Sequence, residues 1–186
     1  MCLGVPVARS KLFPTGYSDS DWAGDRATGK STSGGIVMLG PHLVKSWSRT
    51  QDSVTLSSAE AELVALGKLA METLGIRSMC QEWGLTEEGR ASTLYADASA
   101  ALSIAKRQRA GKMRRINVKS LWLQEKELQK ELAYEKIKGE DNPADGLTKH
   151  VRQELPEKYA SAVSLKLSGD RAEGSLQLSG GGGKQS

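Results

Sequence analysis

After three short apolar runs the hydrophobic period of the chain changes from two residues to about 3.6, and this change limits the folds that are open to it. Short β-branched or aromatic runs come first, separated by Gly, Pro and Ser turns, and they span residues 16–22, 35–39 and 43–48. A small, polar stretch at 25–34 predicts a turn between the first two runs. Ser57-Ser58-Ala59-Glu60 then forms a capping box, after which leucines recur at helical spacing as far as Gly84. The sequence therefore predicts an antiparallel meander that leads into a long helix.

The rest of the chain alternates strands and helices. The predicted segments are a strand at 92–97, helices at 98–106 and 118–132, a strand at 132–138 and a last helical turn or two from 141. This order, β-β-β-α-β-α-α-β-α, predicts an α/β fold with crossover units. We expect a single domain at residues 15–152, preceded by an N-terminal extension at 1–14. Residues 153–186 are poor in aromatics and end in a Gly run, so we expect a flexible tail.

Composition excludes several classes of protein. The two cysteines, Cys2 and Cys80, provide neither a disulfide framework nor metal-knuckle spacing, which favours a reducing compartment. No apolar run reaches the roughly 20 residues of a membrane-spanning helix. The net charge of +4 and the isoelectric point near 9.1 favour an anionic partner, although only mildly.

Four acids occupy positions that suggest chemistry, at strand ends or near helix starts: Asp19, Glu62, Asp97 and Asp145. If strands one and four are adjacent and parallel, Asp19 and Asp97 meet at the same edge of the sheet, where ligands of open α/β sheets bind. Carboxylates that are crowded together stay ionised only when cations lie between them. Hard oxygen ligands with open coordination suit Mg²⁺ or Mn²⁺.

Two of these assignments have a nearby competitor. Glu60 and Glu62 point about 200° apart on a helix, and Glu62 shares the face of Leu66 and Leu69, which should pack on the sheet. Glu60 already has a capping role, so we assign Glu62 to the site. Asp19 and Asp21 lie on the same face of a strand, and the sequence leaves the choice between them open.

Several motifs occur together and in order. They are Gly16-Tyr17-Ser18-Asp19-Ser20-Asp21-Trp22-Ala23-Gly24-Asp25, Lys30-Ser31-Thr32-Ser33-Gly34, Lys45-Ser46-Trp47-Ser48, Leu56-Ser57-Ser58-Ala59-Glu60-Ala61-Glu62, Tyr95-Ala96-Asp97-Ala98-Ser99-Ala100-Ala101 and Asn142-Pro143-Ala144-Asp145-Gly146-Leu147-Thr148-Lys149. In these motifs the chain resembles the ribonuclease H domain of copia-type LTR retrotransposon polyproteins, over roughly residues 16–151. The resemblance implies a ribonuclease H-like fold, a five-stranded mixed sheet flanked by helices.

The resemblance also implies a function. The expected activity is that of an endonuclease that hydrolyses the RNA strand of RNA–DNA hybrids during reverse transcription, by a two-metal-ion mechanism. Carried over by motif, the catalytic and metal-binding residues are Asp19, Glu62, Asp97 and Asp145. The expected cofactor is two Mg²⁺ ions, with Mn²⁺ as the alternative. We also expect a monomer without membrane contact, a reverse transcriptase domain upstream in the parent polyprotein, and a cytoplasmic location that includes virus-like particles.

Other residues are candidates for nucleic-acid binding. Ser20, Ser57 and Ser99 are placed to contact 2′-hydroxyl groups, although serines at such positions more often act as caps or turn residues. A basic cluster contains Lys106, Arg107, Arg109, Lys112, Arg114 and Arg115. It forms either a phosphate-tracking groove beside the acids or simply a solvated face.

Two other functions compete with the active nuclease. The first is a catalytically inactive ribonuclease H-like relic of a decayed retroelement, which would bind nucleic acid without cutting it. The second is a DNA-cutting integrase or transposase of related fold, which uses fewer acids in a different order and fits less well. The presence of all four acids favours the nuclease.

Overall fold

The structure is a computed structural model, and it describes residues 12–86, 89–107 and 118–148. The elements, in chain order, are β1 (Pro14–Asp25), β2 (Lys30–Leu39), β3 (His42–Thr50), α1 (Ser58–Glu82), β4 (Ser92–Ala96), α2 (Ser99–Ala105), α3 (Val118–Leu128) and β5 (Leu132–Lys136). Two short 3₁₀ helices follow, at Gly139–Asp141 and Asp145–Leu147. The order of strands and helices is the predicted one, except that the last helical segment is reduced to these two turns.

The five strands form one mixed sheet in the order β3-β2-β1-β4-β5. The first three are antiparallel, whereas β1–β4 and β4–β5 are parallel pairs. The expected five-stranded sheet and its meander are therefore confirmed, and the condition that strands one and four are adjacent and parallel is met. The last pair between β1 and β4 is Tyr17 with Tyr95, so Asp19 and Asp97 lie at the same level, each two residues beyond it.

The main core lies between the sheet and α1. Leu66, Leu69 and Ala70 on the inner face of α1 are fully buried against Leu94 of β4. Helices α2 and α3 lie beside α1 and add Leu102 and Leu123 to the same cluster. A smaller cluster of Ile36, Met38 and Ala144 covers part of the sheet elsewhere and brings the segment after β5 back onto β2.

The predicted turn at 25–34 is too long. The strand β2 begins at Lys30, because Thr32, Ser33 and Gly34 pair with β1 in regular antiparallel register. Only the tip of the hairpin turns, where the Asp25 carboxylate accepts hydrogen bonds from the backbone N–H of Ala27 and from the Thr28 hydroxyl. Small polar residues resemble a loop in sequence, but here they pack as a strand, with Ser31 and Ser33 buried.

The capping box of α1 is confirmed in a modified form. The Ser57 hydroxyl accepts a hydrogen bond from the Glu60 N–H at 3.2 Å, as the motif requires. The Glu60 carboxylate reaches back one residue further than usual and accepts from the Leu56 N–H at 2.8 Å. At the other end Gly84 has a φ of +67°, which suits its expected role in ending the helix.

One predicted segment ends earlier in the structure, and two others extend beyond the described residues. Helix α3 ends at Leu128 rather than at residue 132, because Lys130 has a φ of +57° and the chain then turns into β5. The extension at 1–14 is described only from Leu12, and the tail at 153–186 lies outside the described residues. No helix within the described ranges is long and apolar enough to cross a membrane.

Gly16 provides a test of the packing between β1 and α1. A Cβ atom at Gly16 would lie 2.8 Å from Leu69 and 2.9 Å from Leu94, both buried in the core. We predict that Gly16→Ala lowers the free energy of unfolding by about 1–3 kcal/mol, measured by urea denaturation.

Gly67→Ala is the matched control, because nothing lies within 4 Å of a Cβ atom built there in α1. It should stabilise the protein by up to about 1 kcal/mol through helix propensity. Equal effects of the two substitutions would contradict the packing described.

Candidate functional site

Three carboxylates from different parts of the chain meet just beyond the point where the pairing of β1 with β4 ends. Each of Asp19, Glu62 and Asp97 offers an oxygen, and these oxygens all lie within 4.8 Å of one another. Asp19 comes from β1, Glu62 from the second turn of α1, and Asp97 from the residue after β4. We call these residues the carboxylate group. Their convergence is the arrangement that the parallel β1–β4 pair was expected to produce.

Glu62 is the member whose ionisation is most affected. Burial, together with the nearby charges of Asp19 and Asp97, raises the pKa of Glu62 to about 7, against a partial offset from its hydrogen bond with Ser20. The Ser20 N–H donates to Glu62 Oε1 at 3.1 Å, while Glu62 Oε2 is buried without a hydrogen-bond partner among the described residues. A cation beside Oε2 would satisfy this atom and favour the ionised form.

Glu60 is excluded from the carboxylate group by its orientation. Its carboxylate is bonded to the Leu56 N–H outside the helix, whereas Glu62 is 8% exposed and lies against β1. The choice of Glu62 over Glu60, which rested on the 200° separation of their side chains, agrees with this geometry.

Asp19, and not Asp21, belongs to the carboxylate group. Asp19 is 5% exposed and accepts a hydrogen bond from the Thr148 hydroxyl. Asp21 lines an open cleft next to the group instead. Thr148 approaches Asp19 from the far end of the described chain.

Asp97 is partly buried, and the backbone of Gly139 lies close to its carboxylate. A Cβ atom built on Gly139 would lie 3.1 Å from Asp97 Oδ2. The loop after β5 therefore passes close to this carboxylate, and glycine leaves room for the carboxylate and for a ligand beside it.

Asp145 lies outside the carboxylate group, at the start of the second 3₁₀ helix. Its backbone carbonyl accepts hydrogen bonds from the Thr148 N–H and hydroxyl. The structure thus brings together three of the four predicted acids and places the fourth on the segment that carries Thr148.

The segment after β5 also contains two residues that sequence reasoning missed. Asn142 is buried, donates to the Ser18 carbonyl at 2.9 Å and accepts from the Ala144 N–H at 3.1 Å, so it ties the segment to β1. Thr148 holds Asp19. Both residues belong to the motif at 142–149, in which Asp145 is the predicted acid. The small polar residues of this motif are the signal that could have identified them.

The residues predicted to contact nucleic acid differ in their exposure and in their hydrogen-bond partners. The Ser20 backbone is bonded to Glu62, Ser57 is the exposed cap of α1, and Ser99 accepts a hydrogen bond from Lys136 at 2.6 Å. Lys106 and Arg107 are exposed after α2. The other basic residues of the cluster lie outside the described residues; they are Arg109, Lys112, Arg114 and Arg115.

A cleft of about 1050 Å³ opens beside the carboxylate group. Its walls include Trp22 and Asp21 of β1, Arg26 of the β1–β2 turn, Arg49 of β3, and Thr148. The walls of the cleft therefore include both Thr148, which bonds to Asp19, and two arginines.

Comparison with known proteins gives relatives among transposon polyproteins. The Retrovirus-related Pol polyprotein from transposon TNT 1-94 of Nicotiana tabacum is 31% identical over 137 residues, which is 73% of this chain and 10% of that protein. The Retrovirus-related Pol polyprotein from transposon RE1 of Arabidopsis thaliana is 30% identical over 150 residues, 80% of this chain and 10% of that protein. The chain thus spans about a tenth of the length of these relatives. No protein-family model matches it.

Solved structures with the same fold include LC11-RNase H1, which was isolated from compost. It superimposes with a TM-score of 0.55 at 17% sequence identity, covering 78% of this chain and 96% of that one. At this identity the likeness establishes the ribonuclease H-like fold alone.

The pKa of Glu62 generates a prediction about stability. Folding raises this pKa from 4.5 to about 7, so the ionised form of Glu62 destabilises the folded state. This destabilisation is absent below pH 4.5, where Glu62 is protonated in both states. It grows between pH 4.5 and 7 and is greatest above pH 7. We predict that Glu62→Gln raises the free energy of unfolding by about 1–3 kcal/mol at pH 8 with chelator present, and hardly changes it at pH 4.

Urea denaturation at the two pH values measures this difference, and Glu60→Gln is the matched control. Glu60 is an acid on the same helix, outside the carboxylate group, so its substitution should have little effect at either pH. A Glu62→Gln variant that is equally or less stable than the wild type at pH 8 would show that the burial and repulsion of the Glu62 charge do not destabilise the fold.

Proposed function

We propose that this chain, which belongs to the ribonuclease H domains of copia-type retrotransposon Pol polyproteins, is an endonuclease that hydrolyses the RNA strand of RNA–DNA hybrids. The observation that carries the proposal is the convergence of Asp19, Glu62 and Asp97 at the open edge of the sheet. In the parent polyprotein this activity would remove RNA during reverse transcription, next to an upstream reverse transcriptase domain.

The carboxylate group suits divalent cations. The three acids provide hard oxygen ligands in a buried, crowded position, and Glu62 Oε2 has no other partner among the described residues. We propose that Asp19, Glu62 and Asp97 hold Mg²⁺, with Mn²⁺ as the alternative, and that Asp145 is the fourth ligand of a two-ion site. When bound, the ions would supply a nucleophilic hydroxide at neutral pH and neutralise charge on the scissile phosphate.

The chain's own contribution is to fix the carboxylates before the substrate arrives. Asp19 is held by the Thr148 hydroxyl and Glu62 by the Ser20 N–H. Both acids lie on regular elements, β1 and α1, which position functional groups more accurately than loops do. This arrangement avoids reorganisation of the site during the reaction.

Selection of the substrate would depend on the shape of the RNA–DNA hybrid and on contacts to its sugar–phosphate backbone. Ser20 of β1, and Ser57 and Ser99 at the starts of α1 and α2, are our candidates for contacts with 2′-hydroxyl groups. The basic cluster that begins at Lys106 and Arg107 would track phosphates, so binding should weaken as salt rises.

Cleavage of a labelled RNA–DNA hybrid in Mg²⁺ tests the proposed activity. We predict that Asp97→Asn lowers kcat by more than about 100-fold, because it removes a charged ligand from the group. Asp141→Asn is the control, since Asp141 is an exposed acid of the neighbouring 3₁₀ helix and lies outside the group.

Cleavage by the wild type that equals cleavage by Asp97→Asn would reject the site. A wild type that binds the hybrid but leaves it intact would reject the activity and favour the inactive, nucleic-acid-binding relic instead.

Thr148 provides a second test, of positioning. We predict that Thr148→Val lowers kcat by about 10- to 100-fold through loss of the hydrogen bond to Asp19, with a smaller effect on KM. Thr148→Ser keeps the hydroxyl and should restore most of the activity. If Val and Ser variants are equally impaired, the methyl packing of Thr148 matters and its hydroxyl does not.

A further inference from the structure

Trp22 is a large aromatic side chain on β1 that remains half exposed. Its relative exposure is 48%, although it follows Asp19 by only three residues. The indole Nε1–H donates to the Thr55 carbonyl at 3.1 Å, just before α1 begins. This hydrogen bond fixes the edge of the ring and leaves much of its surface open to solvent.

The backbone around Trp22 is strained. The register of β1 with β2 shifts between Asp21 and Asp25, and Ala23 has a φ of +54°, in the left-handed region that L-residues other than Asn and Asp seldom adopt. Bulges of this kind redirect a side chain and occur often beside active sites. Strain at a residue without a packing reason is an indication of function.

A buried hydrogen-bond network holds this strained conformation. The Ala23 N–H donates to Ser31 Oγ at 3.1 Å, and Ser31 Oγ is bonded to Thr55 Oγ1 at 2.9 Å. Ser31 is fully buried and Thr55 is 4% exposed. Because Thr55 also accepts the indole hydrogen bond, one network sets both the bulge and the ring, and the ring is in place before any ligand binds.

The surroundings of Trp22 suit a nucleotide. Trp22 forms part of the wall of the 1050 Å³ cleft, together with Arg26, Arg49 and Thr148. Asp25 also lines this cleft, but its carboxylate is occupied by Thr28 and Ala27 of the turn. Aromatic faces beside arginines form the common platform for strands of nucleic acid, because bases stack on the ring while cations meet the phosphates.

The position of the cleft relative to the acids decides its role. Thr148 lines the cleft and bonds to Asp19, so this residue links the cleft to the carboxylate group. We infer that Trp22 is a positioning residue against which a nucleotide flanking the scissile phosphate packs, and that Arg26 and Arg49 contact the phosphates beyond it. The inference rests on the proposed hybrid-cleaving function and adds a subsite to it.

Substitutions at Trp22 separate an aromatic role from a structural one. Trp22→Ala should weaken binding of an RNA–DNA hybrid by about tenfold and raise KM similarly, while kcat changes little. Trp22→Phe keeps a flat ring without the N–H and should stay within about threefold of the wild type. Trp22→Leu keeps apolar volume without a ring and should resemble Trp22→Ala. Binding is measured by fluorescence anisotropy in Ca²⁺, and KM and kcat by cleavage in Mg²⁺.

Trp83→Ala is the matched control. Trp83 is another exposed tryptophan, but it caps the far end of the 25-residue helix α1, roughly 37 Å from the end that carries Glu62. It should leave hybrid binding and KM unchanged. Urea midpoints of all variants show whether any loss of binding merely follows a loss of stability.

The outcomes distinguish failure of the inference from failure of the proposed function. A wild type that neither binds nor cleaves the hybrid would overturn both. A wild type that cleaves while Trp22→Leu or Trp22→Ala binds equally well would overturn only the inference, and would leave the exposed ring as a surface for a protein partner. Losses of hybrid binding that run parallel to decreases in the urea midpoint would also overturn the inference.

Discussion

The site depends on one electrostatic constraint, the mutual repulsion of three carboxylates that lie close together with little water between them. Their oxygens are within 4.8 Å of one another, and burial with two acidic neighbours raises the pKa of Glu62 to about 7. Such crowding opposes folding at neutral pH unless a proton or a cation offsets it. The fold tolerates it because β1 and β4 run parallel side by side, so their ends deliver two acids to one edge while α1 delivers the third.

The segment after β5 completes the site from outside the sheet. Asn142 ties it to the Ser18 carbonyl of β1, Gly139 passes close to Asp97, and Thr148 bonds to Asp19. Each contact joins residues that are distant in sequence, so the site forms only when the chain has folded completely. Further along β1, the bulge at Ala23, held by the buried pair Ser31–Thr55, forms part of the wall of the cleft that Thr148 also lines. The acid Asp19 and the strained residue Ala23 therefore lie close together in the second half of β1.

The sequence predicted what local patterns determine. Helical geometry separated Glu62 from Glu60, and the meander and the long helix follow from periodicity and element order. The parallel pairing of strands one and four enters the sequence argument only as a condition. The sequence could not choose between Asp19 and Asp21, because a period of two places both on the same face and their surroundings come from distant segments, such as Thr148 beside Asp19. The polar start of β2 resembles a turn in sequence, since only pairing with β1 makes Ser31 and Ser33 part of a strand. The distance of Asp145 from the carboxylate group likewise depends on tertiary packing.

The central claim is that Asp19, Glu62 and Asp97 form a cation site, and direct measurement of Mn²⁺ binding tests it. Mn²⁺ is titrated into the full chain at neutral pH, and the free ion is counted by electron paramagnetic resonance. The account predicts saturable binding that Asp19→Asn weakens by tenfold or more, and that Asp21→Asn, two residues along the same strand, leaves nearly unchanged. Equal binding by the wild type and Asp19→Asn, or equal losses in the two variants, would contradict it.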